Sequence, residues 1–301
     1  MIGMSMRQLI SKDAITSLRY TVITLMVATF ASCEKAIVPE GSPEGNVTLR
    51  FSLTNSDAKT RALSSSYFSK LNIMLFDTEY NRVFDKVVTQ SKDDEDFGTL
   101  SLKLTAGTYW IVAVGHSSKR SATIKSPEVV QFTASEGEKL TDTFCACELI
   151  EVGGDEQQFD FDMYRAGAMV QFHFIDTEFP VNFSHVKMDY TGGSANFNPS
   201  TLEGITKSSQ SERRTTNDIH LYQVFTFPYL SVTGALKMTV SALDVDGTVI
   251  RQRTFESIPI ARNRITTYTG PFFEEGDGEF TMSDFSFLIH ADWEGEDHYE
   301  F

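Results

Sequence analysis

The chain has 301 residues, 41 acidic against 26 basic side chains, and a net charge of −15. That length suits one large or two ordinary domains. The acidic balance speaks against nucleic acid, whose phosphates attract Lys and Arg, and against adhesion to anionic lipid by charge alone; it favours solubility outside the cell.

Residues 1–32 do not read as part of a fold. Arg7, Lys12 and Arg19 make a basic stretch, Tyr20 to Phe30 runs without a charge, and Ala31 and Ser32 are small. A basic region, a short apolar core and small residues before a cut are the marks of a secretory signal. The apolar run is far shorter than the ~20 residues of helix that cross a bilayer. Cys33 follows at once, and Phe30-Ala31-Ser32-Cys33 resembles a bacterial lipobox, with Phe30 where leucine is usual. We therefore expect cleavage between Ser32 and Cys33 and lipidation of Cys33, as S-diacylglycerol and N-acyl chains. An ordinary signal with an incidental cysteine is the alternative. Cleavage would remove Arg7, Lys12, Arg19 and Asp13, taking the net charge from −15 to −17. Residues 33–45 carry Pro39, Gly41, Pro43 and Gly45, a composition suited to a flexible tether.

Beyond the tether, short apolar/polar alternations dominate, which is the two-residue period of strands. Val47, Leu49, Phe51 and Leu53 alternate. Leu71–Phe76 is a compact apolar run followed by a turn at Asp77–Arg82. Leu100, Leu102 and Leu104 lead through Gly107 into Thr108–Gly115. Val170, Phe172 and Phe174 alternate, as do Leu236, Met238, Val240 and Ala242. Asp246-Gly247 is a hairpin signal that returns the chain as Val249–Phe255. Phe285, Phe287 and Ile289 alternate near the end. Arg61–Lys70 and Ser200–Ile205 are candidates for short helices; longer helical periodicity is missing. The expected fold class is all-β, of sandwich or barrel type. The polar, glycine-bearing stretch Val152–Gln158 suggests a division into domains at 46–155 and 156–301.

Chemistry-bearing patterns are sparse. Cys145 and Cys147 sit at i and i+2 of a strand, on one face, a geometry in which a disulfide rarely forms; they read as small buried apolar residues. The six histidines form no zinc-like pair, and His173 reads as a solvated strand residue. Asp244, Asp246 and Gly247 resemble a fragment of a calcium loop, but the hairpin reading accounts for them. Glu274, Glu275, Asp277 and Glu279 form an acidic loop with Gly276 and Gly278, read as solvated charge, with a weak calcium site as the alternative. There is no phosphate-cradling loop and no nucleophile elbow. Trp110 reads as strand core, and Trp293 as freer to be exposed. No catalytic residue, metal or cofactor is expected.

Several segments together resemble the anchoring subunits of the fimbrillin superfamily of Bacteroidetes, which build type V pili: the lipobox before Cys33, VTLRFSL at 47–53, LNIMLFDTEYNRVFDK at 71–86, LTAGTYWIVAVGH at 104–116, YRAGAMVQFHF at 164–174 and ARNRITTYTGPFF at 261–273. The resemblance implies two transthyretin-like β-sandwich domains in tandem and a lipid-anchored, surface-exposed place at the outer membrane. It implies pilin subunits of the same fimbrium as partners and no enzymatic activity. Pilins of this class join by strand exchange, in which main-chain hydrogen bonds supply affinity and alternate side chains supply register. A stalk pilin opens its groove when a protease removes the N-terminal strand, and Arg61-Ala62 is a candidate cut here; an exposed polar loop is the other reading of that stretch. An anchor keeps the strand, because strand and lipid lie on the same side of the cut. The neighbour's contact is then expected in Phe280–Phe301, on the strand pattern Phe285, Phe287, Ile289. A stalk or tip pilin, a surface glycan-binding lipoprotein using Trp293, and a hydrolase are the competing readings.

Overall fold

The computed structural model describes residues 44–53, 67–133, 140–214, 218–231, 233–274 and 295–300. Among them there is no helix, and the fold is all-β, as expected: two β-sandwiches in tandem.

The first sandwich holds β1 (Glu44–Leu53), β2 (Lys70–Phe76), β3 (Val88–Ser91), β4 (Thr99–Thr105), β5 (Gly107–His116), β8 (Phe144–Val152) and β9 (Gln157–Arg165), ordered β3-β2-β5-β8-β9-β1-β4; β6 (Thr123–Ser126) and β7 (Val129–Gln131) form a hairpin beside it. β9 joins β8 only through Phe144 and Cys145, opposite Arg165 and Tyr164. The sheet thus folds over at this corner, and β4-β1-β9 faces β3-β2-β5-β8. Alternation places Val47, Leu49 and Phe51 of β1 with Phe161 and Met163 of β9 against Leu71, Ile73, Leu75, Ile111 and Ala113. Phe51 and Phe161 stack at 5.2 Å between centroids.

The second sandwich uses β10 (Ala168–Phe174), β11 (His185–Thr191), β12 (Gly193–Ser194), β13 (Asn196–Asn198), β14 (Glu203–Gly204), β15 (Gln210–Arg214), β16 (Leu221–Pro228), β17 (Thr233–Leu243), β18 (Val249–Ala261), β19 (Arg264–Gly270) and β20 (Gly295–Glu300). Sheet β12-β16-β10-β19-β20 packs on β15-β11-β17-β18 over Val170, Phe172, Phe174, Val186, Met188, Met238, Val240 and Phe255. The predicted hairpin forms: Gly247 has φ +85°, a left-handed conformation that suits glycine, and Asp244 Oδ1 accepts from the amides of Asp246 (3.0 Å) and Thr248 (2.7 Å).

A third cluster joins the two. β13 pairs with β7, and Met74, Phe76, Val112, Val114, Val130, Phe132 and Ala166 bury against Ala195, Phe197 and Phe227. This explains the LNIMLF run: odd positions face the first core, Met74 and Phe76 face the shared one, and a strand covered on both faces is apolar except at Asn72, whose buried amide is hydrogen-bonded.

Two expectations need correction. Ser200–Ile205 is a turn leading into the two-residue β14, not a helix; Asn198 Oδ1 takes the amide of Ser200 at 2.8 Å, a local bond that competes with helix. Within Arg61–Lys70, residues 67–69 form a turn and bend and Lys70 begins β2, because Phe68 is drawn into the first core; residues 61–66 lie outside the described residues. In addition, β1 starts at Glu44, within the stretch expected as tether, and β9 lies beyond the expected division at 155/156 yet pairs with β1.

One buried polar network fastens β2 to β5. His116 Nδ1 accepts from the Ser118 amide (3.1 Å), so Nε2 carries the proton and donates to Asn72 Oδ1 at 2.8 Å; Asn72 Nδ2 donates to Thr89 Oγ1 at 2.8 Å. Burial, and secondarily the charge of Lys70, drive the His116 pKa from 6.5 down to about 3. The unfolded chain therefore binds a proton that the folded chain refuses. The associated stability is fully present above the ordinary histidine pKa and is lost as the pH falls below it. Between pH 7 and pH 5 the loss should be ~2 kcal/mol, read as the difference in urea-unfolding free energy between wild type and His116→Gln at the two pH values. A pH dependence unchanged by the substitution would contradict it.

Candidate functional site

Three places concentrate specific contacts: where the chain enters the first sandwich, where it crosses to the second, and the end of β19. At the entrance, β1 runs antiparallel to β4 from Glu44↔Thr105 to Arg50↔Thr99 and parallel to β9 from Val47↔Gln157 to Leu53↔Met163. It is thus an interior strand, paired on both edges from Val47 to Arg50. Gly45 permits this: a Cβ there would stand 2.6 Å from the Asp155 carbonyl oxygen and 2.8 Å from that of Gly153. On the outer face Ser52 Oγ donates to Asp162 Oδ1 at 3.3 Å.

At the crossing, the Arg165 guanidinium is buried at the end of β9. It donates to both Asp142 carboxylate oxygens at 2.8 Å, and to Asn263 Oδ1 at 2.9 Å, with its carbon 4.5 Å from the Phe144 ring centroid. Asn263 sits at φ +59°, a left-handed position that Asn tolerates, and its amide donates to the Gly167 carbonyl at 2.8 Å. One side chain thereby ties the first sandwich to the β18–β19 turn of the second.

At the exit, Asp176 is 1 % exposed and accepts the amides of Phe272 (2.6 Å), Phe273 (2.7 Å) and Glu274 (2.9 Å). Arg253 Nε donates to the Phe272 carbonyl at 3.3 Å. Phe174 stacks on Phe272 at 4.4 Å, and Phe273 meets Phe179 and Phe183. The chain is thus fastened at the end of β19 independently of β20. β20 then pairs parallel with β19 from Arg264↔Gly295 to Thr269↔Glu300, with Tyr299 stacked on Tyr268 at 4.8 Å. Among the described residues β20 is the last strand of its sheet.

The residues singled out from sequence meet this geometry unevenly. Ser32, Cys33, Arg61, Ala62, Phe285, Phe287, Ile289 and Trp293 lie outside the described residues. Cys145 and Cys147 are free, with Cys145 buried and Cys147 partly so. Burial raises both thiol pKa values, which keeps them as neutral thiols. Trp110 is half-buried on the shared core, edge-on to Tyr80. His173 is exposed on β10. Glu274 takes the amide and hydroxyl of Thr177. Among the described residues no group of three or more His, Cys, Asp or Glu is placed to hold a metal, and no helix is long and apolar enough to cross a membrane. Arg165 and Asp176 were missed because their partners are remote in sequence.

Residues 39–300 match a family described as a family of unknown function (DUF6562). The chain belongs to this family. No curated protein matches it. Among solved structures the DUF6562 chain is similar to a DUF1812 protein from Bacteroides thetaiotaomicron VPI-5482, with 11 % identity, 69 % of this chain and 79 % of that chain covered, and a TM-score of 0.46. It is similar to the fimbrial anchor protein Mfa2 from Porphyromonas gingivalis, with 13 % identity, 70 % and 82 % coverage and a TM-score of 0.43. A third similar structure is a fimbrial assembly protein from Parabacteroides distasonis ATCC 8503, with 13 % identity, 76 % and 91 % coverage and a TM-score of 0.39.

The Arg165 site yields a prediction. Asp142→Ala leaves a buried guanidinium without its carboxylate, a change that costs ~3 kcal/mol when one partner of a buried pair is removed. Urea denaturation should show that loss; a change below ~0.5 kcal/mol, the level of an exposed ion pair, would contradict the buried tie.

Proposed function

We propose that this protein is a lipid-anchored fimbrial subunit that holds a type V pilus to the outer membrane. The observation that carries the reading is the place of β1. The first strand after the tether pairs on both edges and buries Val47, Leu49 and Phe51 in the core. Burying three such side chains contributes roughly 5–9 kcal/mol, comparable to the whole net stability of a domain. Lipid on Cys33 would then be continuous with a strand that the fold cannot release cheaply, as an anchor requires. The Bacteroidetes fimbrillin resemblance of the sequence points the same way, and the reading assigns the protein no enzymatic chemistry.

In this reading the neighbouring pilin meets the C-terminal part of the chain. Strand exchange of this kind joins subunits through main-chain hydrogen bonds, with alternate side chains setting the register. Phe285, Phe287 and Ile289 stand just before β20 in sequence and are the proposed side-chain contacts.

Mass spectrometry of the N-terminal peptide, taken from protein extracted from its native membrane, tests the anchor. A triacylated or diacylated Cys33 is the expected result. A mature chain beginning at Ala62 would instead make the protein a stalk or tip pilin. An unmodified N-terminus at another position would refute the lipid anchor.

A further inference from the structure

Three pairs of named strands among the described residues are parallel, β1–β9, β10–β19 and β19–β20, and the others are antiparallel. The parallel pairs fall on a single route through the molecule. The chain enters the first sandwich at the start of β1 and leaves it at the end of β9. It enters the second at the start of β10, and the last strand among the described residues is β20.

We infer that the protein is a mechanical clamp in which tension between its two ends loads these parallel pairs in shear. The biological meaning rests on the anchor reading; the mechanics rest on strand direction alone. Tension on the tether draws β1 backwards from Glu44, while tension from the second sandwich draws β9 forwards from Arg165. Parallel neighbours pulled at opposite ends can separate only by sliding, so the seven registered positions from Val47↔Gln157 to Leu53↔Met163 resist together. The second sandwich repeats the arrangement. β10 is drawn backwards from Ala168 and β20 forwards from Glu300, with β19 between them, through six registered positions on each side.

The tie at the crossing completes the route. Arg165 ends the first loaded pair and bonds to Asp142 and Asn263, and β7–β13 pairing with the shared core backs it. The two sandwiches therefore meet the load in series through a fastened joint. An antiparallel pair gives the opposite response. Glu44 and Thr105 are directly opposed at one end of β1–β4, so pulling on them opens that pair one position at a time.

Single-molecule force spectroscopy on the full chain tests the clamp without any membrane. A Cys33→Ser, Cys147→Ser background is used, with one handle at Glu44→Cys and the other either at the C-terminus or at Thr105→Cys. The two proteins share a fold and differ in pulling direction. Rupture under force is governed by the unfolding barrier along that direction, so the end-to-end rupture force should be about twofold or more above that for 44/105 at equal loading rate. A smaller excess, an equal force or a lower one overturns the inference. Circular dichroism and urea midpoints of both handle variants must coincide with the parent's, which separates a direction effect from damage. Failure here leaves the anchor reading intact, and a mature N-terminus at Ala62 would defeat the anchor reading while leaving this result untouched.

Discussion

Everything in the first sandwich depends on the parallel pairing of β1 with β9. Among the described residues β4 has β1 as its only strand partner, so the loss of β1 would strand β4 as well and leave one of the two layers with β9 alone. The inner faces of Phe161 and Met163 would then open to water. Parallel neighbours cannot be joined by a tight turn; here the crossover connection consists of the rest of the first sandwich. The first strand therefore closes the fold and is the last of the layer's pairings to become possible, since its partner arrives more than a hundred residues later.

The same economy of construction governs the joint. A sandwich normally turns the outer faces of its sheets to solvent, yet β2 and β5 are buried on both sides because β6–β7 and the β13–β14 region cover them. The polar groups this cover would leave unsatisfied are answered by His116, Asn72 and Arg165, each with near neighbours that accept or donate at about 3 Å or less. Buried polar contacts of this kind favour one arrangement over sliding alternatives, because a shift by one position would leave donors unpaired in a place water does not reach. Two modules that would otherwise swing on Ala166-Gly167 are thereby held in register with each other.

Much of this was legible in the sequence. Val47/Leu49/Phe51, Val170/Phe172/Phe174 and the Leu236–Ala242 alternation announced strands with one buried face, and Asp246-Gly247 announced its hairpin. What alternation cannot express is a partner. Nothing in residues 47–53 says that their neighbour begins at Gln157, and Asp176 meets its amides almost a hundred residues away. β20, read as GEDHYE, has no apolar alternation at all, and its pairing with β19 follows from the chain's path rather than from its composition. Ser200–Ile205 looked helical by local preference and became a turn because Asn198 and the neighbouring strands claimed its backbone. The residues on which the proposed attachment to a membrane rests, above all Phe30–Cys33, lie outside the described residues.

The central claim is that β1 is an integral strand of the core and not a removable cover. Hydrogen exchange followed by mass spectrometry measures this directly, comparing peptides spanning 46–53 and 157–163 in the intact chain. The account predicts that both exchange together and only through global unfolding, with the same dependence on denaturant. Exchange of 46–53 through a separate, lower-energy opening, while 157–163 stays protected, would contradict it.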